Sequence, residues 1–172
     1  GANIQREQPL AAHRIRKATL RGGKILSVNV VDYAFYFPQH EKIIISPDQL
    51  TTTLMKVARA LADIDASKLP VFAANLLQSV VVGEAEKKIA ATLSHGQKKI
   101  ILLGAIAQNH PQAATIRTLA KIIADLSDAK FGCLTEGANG AGAWLAGAIP
   151  HRYAAGEASA HVGDTAKAMF AE

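Results

Sequence analysis

KKIILLGAIAQNHPQAATIRTLA, residues 98–120, changes character at one glycine. Before Gly104, the run Ile100–Leu103 is apolar on both faces, as expected of a parallel strand covered by helices on each side. After it comes a polar stretch, then Pro111, then a helical pattern that continues to Ala129. In that pattern Ile116, Leu119, Ile123 and Leu126 recur at helical spacing and predict one buried stripe. The segment therefore predicts a strand, a tight turn and a helix.

Working outward, the first residues repeat the plan. GANIQREQPLAAHRIRKA, from Gly1, and GAIAQNHPQAATIRTLA, from Gly104, both run Gly-Ala, a polar stretch with Gln5 or Gln108, a proline (Pro9 or Pro111), and a helix with Ile-Arg. By analogy with the second copy, the first is expected to follow a strand lying before residue 1. In a doubly wound order that strand would sit at the centre of the sheet, between KILSVNV and KKIILLG. Its absence would leave backbone groups unpaired. The chain opens on Gly1 rather than Met, as expected of a piece of a longer protein.

Glycine permits a sharp bend at the end of a strand, and the free N–H groups of the following helix attract anions. In open α/β sheets such loops are where ligands bind. The competing reading is that any strand-to-helix connection needs a small residue and a helix start. The full G-x-G-x-x-G fingerprint is absent.

TEGANGAGAWLAGAIPHR, residues 135–152, supplies a third loop of this kind after KFGCLT. Ala143–Ala148 would form a short helix anchored by Trp144 and Leu145 and ended by Pro150. The expected rim thus comprises Gly1, Asn3, Gln5 and Arg6; Gly104, Gln108 and Asn109; and Gly137, Asn139 and Gly140.

The remaining sequence fits the alternation. Strands are expected at KILSVNV (24–30), EKIIIS (41–46), KKIILLG (98–104) and KFGCLT (130–135). A helix from Pro9 to Arg21 would close at Gly22. Ser46, Pro47 and Gln49 form a predicted capping box ahead of a stripe of Leu50, Leu54, Val57 and Leu61. Glu84–His95 is amphipathic and closed by Gly96. Leu69–Val82 reads first as a buried helix, with a strand as the alternative for its Val-rich end, and Asp63–Lys68 reads as a loop. The pattern predicts a single three-layer α/β domain over residues 1–172, with a mostly parallel, Rossmann-like sheet and helices on both faces.

Composition narrows the functions. The chain has 172 residues, 49% hydrophobic and 5% aromatic, so an aliphatic core is expected. The formal charge is +5. His13, Arg14, Arg16, Lys17, Arg21 and Lys24 form a basic run with no interleaved aromatic rings on which bases could stack. That favours a solvated helix face or a surface facing another subunit over nucleic-acid binding. No apolar run reaches the roughly 18 residues of a membrane span, and the polar first residues do not resemble a signal peptide.

Single residues add little chemistry. His13, His40, His95, His110, His151 and His161 show no metal-ligand spacing. Cys133, the one cysteine, excludes an internal disulfide or a multi-cysteine cluster within this stretch, and reads as a small core residue in a strand. Asp32, after KILSVNV, could grip a ribose but reads first as a turn former, with Tyr33–Pro38 packing nearby. His151 and Arg152 could meet phosphate or hold a neighbouring domain.

GANIQREQPLAAHRIRKATLRGGKILSVN, EKIIISPDQL, KKIILLGAIAQNHPQAATIRTLA and TEGANGAGAWLAGAIPHR, in that order, resemble the large peripheral-arm subunit of bacterial NADH:quinone oxidoreductase, respiratory complex I. The resemblance spans nearly the whole sequence and implies a region descended from the molybdopterin oxidoreductases. In active relatives such as formate dehydrogenases, a Gly-Xaa-Asn-Pro loop helps cradle a pterin guanine dinucleotide. Gly1 and Asn3 match that loop, but Ile4 stands where the proline would be, followed by Gln5 and Arg6.

The resemblance therefore implies a scaffold that kept the fold and lost the cofactor. Its partners would be other domains of the same subunit and other peripheral-arm subunits, on the cytoplasmic side of the bacterial inner membrane. The 4Fe-4S and 2Fe-2S clusters of the subunit would lie outside this stretch. Two other functions remain open on the sequence alone: a pterin-dinucleotide-binding domain of an active molybdenum or tungsten enzyme, and a free-standing nucleotide-binding module.

Overall fold

The computed structural model describes residues 1–172 except Ala138, Pro150, Thr165, Ala171, Glu172 and the side chains of Ala166 and Lys167. The chain divides into two compact units, Gly1–Leu134 and Thr135–Glu172.

The first unit runs α1 (Ile4–Glu7), α2 (Pro9–Thr19), β1 (Leu26–Asn29), β2 (Glu41–Ile44), α3 (Leu50–Ile64), α4 (Val71–Leu77), α5 (Glu84–His95), β3 (Ile100–Leu103), α6 (Ala105–Gln108), α7 (Ala113–Leu126) and β4 (Lys130–Cys133). All four expected strands are present, each trimmed to four residues. β1 pairs with β2 from Leu26↔Glu41 to Asn29↔Ile44, and β3 with β4 from Ile100↔Lys130 to Leu103↔Cys133. Both pairs are parallel; β3 and β4 are joined through α6 and α7, as a helical crossover requires, whereas the loop 30–40 joins β1 and β2 without a helix. The pairs form two separate two-stranded sheets rather than one continuous sheet.

The core lies where the helical stripes meet. Val57, Ala58 and Leu61 of α3 pack with Ile122, Ile123 and Leu126 of α7, Ile89 and Ala90 of α5, Ala73 and Leu77 of α4, and Ile43 of β2. A second cluster joins Leu50, Leu103, Ala107, Ile116 and Ala120. The predicted stripe Ile116, Leu119, Ile123 and Leu126 is buried throughout. Ile4, Ala12 and Phe37 make a third, smaller cluster to which Ile15, Ile25, Phe35 and Leu134 add. Phe35 and Phe37 stack at 5.1 Å, so part of the run after Asp32 packs, while Tyr36 between them is 82% exposed. The cations of α2 and its exit, from His13 to Lys24, are all exposed.

Several expectations fail for identifiable reasons. The apolar run in β3 is not covered on both faces: Ile100 is 61% and Leu102 36% exposed, whereas Leu103 is buried. Alternate residues point to opposite sides of a strand, and the helices of this unit cover only one side there. The segment 69–82 is not buried all round. Only Ala73 and Leu77 of α4 face the core, Val71 is 84% exposed, and Val80–Val82 is neither helix nor strand.

The capping box does not form. Pro47–Gln49 winds as a 3₁₀ turn in which Gln49 N donates to the Ser46 carbonyl at 3.0 Å, so the backbone takes the role expected of the hydroxyl. Gly22 does take the left-handed conformation its position predicts, with φ +84°. Cys133 lies in a strand but is exposed, at the end of the edge strand β4.

The second unit contains α8 (Gly140–Leu145), a 3₁₀ turn at Ala154–Gly156 and α9 (Ala166–Met169). α8 starts three residues before the expected Ala143. Trp144 and Leu145 do not anchor it, being 54% and 65% exposed. The Trp144 ring meets the His151 ring edge-on at 5.5 Å. Pro150, expected to end this helix, lies outside the described residues.

Candidate functional site

Two of the three expected loops meet at the carboxyl ends of the strands of the first unit. Gly1 lies beside Asn29, the last residue of β1, and beside Ile106 of α6. Asn29 is buried, 4% exposed. Its Nδ2 donates to the Ala2 carbonyl at 3.0 Å while its Oδ1 accepts from Val30 N at 3.0 Å. The side chain therefore ties the first loop to the end of β1.

Gly104 serves a different purpose from the one expected. Its φ of −90° and ψ of 178° are open to any residue, so the bend does not need glycine. The need is spatial. A Cβ built on Gly104 would overlap the Ala2 side chain and the Gly1 carbonyl. The two loops touch backbone to backbone, at the point where the sequence places a glycine in each.

Gln5 closes the first loop. Its Nε2 donates to the Ala34 carbonyl at 3.3 Å, and its Oε1 accepts from Tyr36 N. Asn3 N donates to Glu7 Oε1 at 2.6 Å, and the Asn3 carbonyl accepts from the amides of Arg6 and Glu7. A cleft of about 380 Å³ remains beside these residues, lined by Asn3, Gln5, Arg6, Tyr33, Ala34 and Tyr36. Its lining offers a guanidinium, two amides and two phenols, with neither a nucleophile–base pair nor paired carboxylates. Among the described residues no cluster of His, Cys, Asp or Glu could hold a metal.

The second loop is fixed by side chains that no sequence motif groups together. Gln108 Nε2 donates to the carbonyls of Leu103 at 3.2 Å and Leu134 at 2.6 Å, joining the ends of β3 and β4. Asn109 follows α6 and donates its backbone amide to the Ala105 carbonyl at 2.9 Å. His110 has a structural role: its Nδ1 accepts from Gln112 N at 3.0 Å and its Nε2 donates to the Pro47 carbonyl at 3.1 Å. That pattern is the neutral ring with the proton on Nε2. Thr51 Oγ1 donates to Gln112 Oε1 at 2.6 Å, so the loop is bolted to the start of α3.

Gly137, Asn139 and Gly140 belong to the second unit. Gly137 is left-handed, φ +73°, as a tight turn demands. The Asn139 side chain lies against Gly142, so close that a Cβ there would overlap it, and the Asn139 carbonyl accepts from Ala143 N at 2.9 Å. Arg152 Nη1 donates to the Gly156 carbonyl at 3.3 Å, and so serves its own loop. Asp32, weighed as a ribose ligand, instead pairs with Lys42 at 2.6 Å.

The backbone of Gly1–Ala2 fills the space beside Gly104, and Gln5 closes its loop against residues 34–36. The single cysteine cannot supply the four thiolates of an iron–sulfur cluster.

In the 172-residue protein taken by itself, burial lowers the Gly1 amino group from 8.0 to about 6, and the Glu7 carboxylate acts the other way. Below pH 6 the amine is charged both folded and unfolded. Between 6 and 8 mainly the unfolded chain binds the proton, so stability is expected to rise with pH across that window, by no more than about 3 kcal/mol. Urea denaturation at pH 5.5, 7 and 8.5 measures this; identical midpoints would mean that the amine is solvated.

Gln5→Ala is expected to cost about 0.5–1 kcal/mol, because two exposed backbone groups exchange a protein partner for water. The local readout is faster hydrogen exchange at Tyr36 N. Unchanged exchange there would show that the Gln5 clasp does not form in solution.

A scan against protein-family models, a search of curated proteins and a search of solved structures each found no match. Among the described residues no helix is long and apolar enough to cross a membrane.

Proposed function

We propose that this protein is a non-catalytic scaffold domain of the large peripheral-arm subunit of proton-pumping NADH:quinone oxidoreductase. The whole complex passes electrons from NADH to quinone, and this domain organises the arm. In that setting the two parallel strand pairs belong to one mostly parallel, three-layer sheet. The domain sits on the cytoplasmic side of the bacterial inner membrane, against other domains of its subunit and other peripheral-arm subunits. The iron–sulfur clusters are carried elsewhere in the subunit.

One observation carries the non-catalytic part of this reading: the protein's own residues occupy the rim. Gly1–Ala2 lies on Gly104, and Gln5 holds the first loop shut against Ala34 and Tyr36. The exposed cations from His13 to Lys24 add a face suited to an acidic neighbouring subunit.

The test is purification of the native protein, at its own expression level, from cells. NADH:quinone activity that copurifies in constant ratio, without fluorescent pterin oxidation products, is the expected result. Stoichiometric pterin without that activity would transfer the protein to the active molybdenum or tungsten enzymes. Calorimetry showing tight nucleotide binding by the isolated 172-residue protein would instead favour a nucleotide-binding module.

A further inference from the structure

α4 carries apolar side chains on both of its sides. Ala73 and Leu77 face the core and are fully buried. On the other side Val71 is 84%, Phe72 63% and Leu76 47% exposed, with the exposed Asn75 among them. Helical geometry puts these four positions on the outer half of the helix, with Phe72 and Leu76 one turn apart. The helix is not loose. Arg59 of α3 donates through Nη1 to the carbonyls of Leu77 at 3.0 Å and Gln78 at 3.2 Å, so the last turn is clasped. A pinned inner face therefore holds the outer apolar side chains in water. Val81, just past the helix, is 83% exposed as well.

Charge is absent from this stretch. Residues 69–83, LPVFAANLLQSVVVG, contain no Asp, Glu, Lys, Arg or His, although 19% of the chain is charged. The charges that bound it are neutralised within the chain: Lys68 pairs with Asp128, Glu84 with Lys87 at 2.7 Å, and Arg59 with Asp63 at 2.8 Å. An apolar patch with an aromatic ring and no charge has the composition of an interface core. Val71, Phe72, Leu76 and Val81 together expose on the order of 400 Å² of apolar surface, enough to mark an interaction site. Interfaces are about 60% apolar, so two such faces in contact would bury roughly 1,300 Å² in all, within the range of specific complexes.

We propose that the outer face of α4 is a self-association surface, on which a second copy of this chain packs its own α4 about a twofold axis through Asn75. Two features select a copy over a partner of opposite charge. The face holds no charge for an acidic or basic surface to read. Asn75 is its own complement, because an amide carries both donors and an acceptor, and two amides facing across a twofold axis satisfy each other. A single Asn in an apolar helix seam specifies pairs in this way. The formal charge of +5 makes two copies repel in general, and the uncharged stretch is where they can touch. This inference concerns the 172-residue protein in solution and does not rest on the proposed function.

Sedimentation equilibrium of the 172-residue protein from about 1 to 300 µM is the test. A monomer–dimer equilibrium is expected, unchanged or tightened by added salt, since salt screens only the repulsion. Asn75→Asp and Asn75→Lys each set like charges across the axis, and each should raise the dimer Kd at least tenfold. An equimolar mixture of the two should recover association as a heterodimer. Position 75 is exposed, so both variants should keep the parent Tm. Leu76→Ser is a second, uncharged variant that should also weaken the dimer. A protein that stays monomeric throughout the range would overturn the proposal. So would a dimer whose Kd none of the variants changes, or a mixture that associates no more tightly than its components, which would show that the two Asn75 side chains do not meet.

Discussion

Ile116→Ala is expected to destabilise the Gly1–Leu134 unit by about 2–5 kcal/mol, the range for removing a large aliphatic side chain from a packed interior. Ile116 is 0% exposed and packs with Leu50, Leu103, Ala107 and Ala120. Leu103 and Ala107 flank Gly104, so this cluster lies directly beneath the loop that touches Gly1. Its remaining small members, Ala107 and Ala120, cannot expand into the space left behind, which places the cost toward the upper part of the range. Leu10→Ala on α2 makes the control: Leu10 is 80% exposed, and its loss should change stability by about 0.5 kcal/mol or less. Denaturant midpoints of the two variants measure the difference. Similar midpoints would mean that the second cluster is not part of the packed core of this unit.

The features readable in the sequence are those written in local periodicity. The stripe Ile116, Leu119, Ile123 and Leu126 needs only 3.6-residue geometry to share a face, and all four are buried. β1, β2 and β3 are legible because Ile, Leu and Val cluster between turn residues. Between β3 and β4 the helical crossover also forces parallel pairing, because it returns the chain to the same end of the sheet.

What is not legible depends on partners far away in the sequence. Nothing near Ile100 says whether a helix will cover it; that is decided by which elements the rest of the chain can bring. Ser46 has the composition of a cap, but the 3₁₀ turn through Pro47 satisfies the donor through the backbone first.

The rim shows the same division. Its glycines stand out in the sequence, but Asn29 reads there only as the polar end of a strand, though it holds Ala2. A buried asparagine at the carboxyl end of a strand, followed by a loop, is the available signal. Gly104 stands out for the wrong reason, since its conformation is ordinary and only its missing side chain matters. The contact between Gly1–Ala2 and Gly104 joins residues about a hundred positions apart, and no local pattern encodes it.

Gly104→Val tests that contact and carries the second large effect. The new side chain would occupy the space of the Ala2 side chain and the Gly1 carbonyl, and backbone cannot yield as a flexible side-chain tip does. Two responses are available: the α6 turn shifts, or the first residues leave their seat. Gly104 is held by its neighbours, since Leu103 is in the buried cluster and Gln108 clamps the Leu103 carbonyl. The first residues are held chiefly by Asn29 and by Ile4. The N-terminal segment therefore yields, at an expected cost of about 1–3 kcal/mol, the usual range for overpacking.

Two local signals should accompany that loss. Protection of the Asn29 side-chain amide should vanish, because its acceptor is the Ala2 carbonyl. The rise in stability from pH 6 to 8 should also flatten, because a released Gly1 amine titrates near its ordinary value of 8.0 in both states. A Gly104→Val protein that lost stability but kept both signals would place the strain in the α6 turn, and the backbone contact between the two loops would no longer explain why position 104 is glycine.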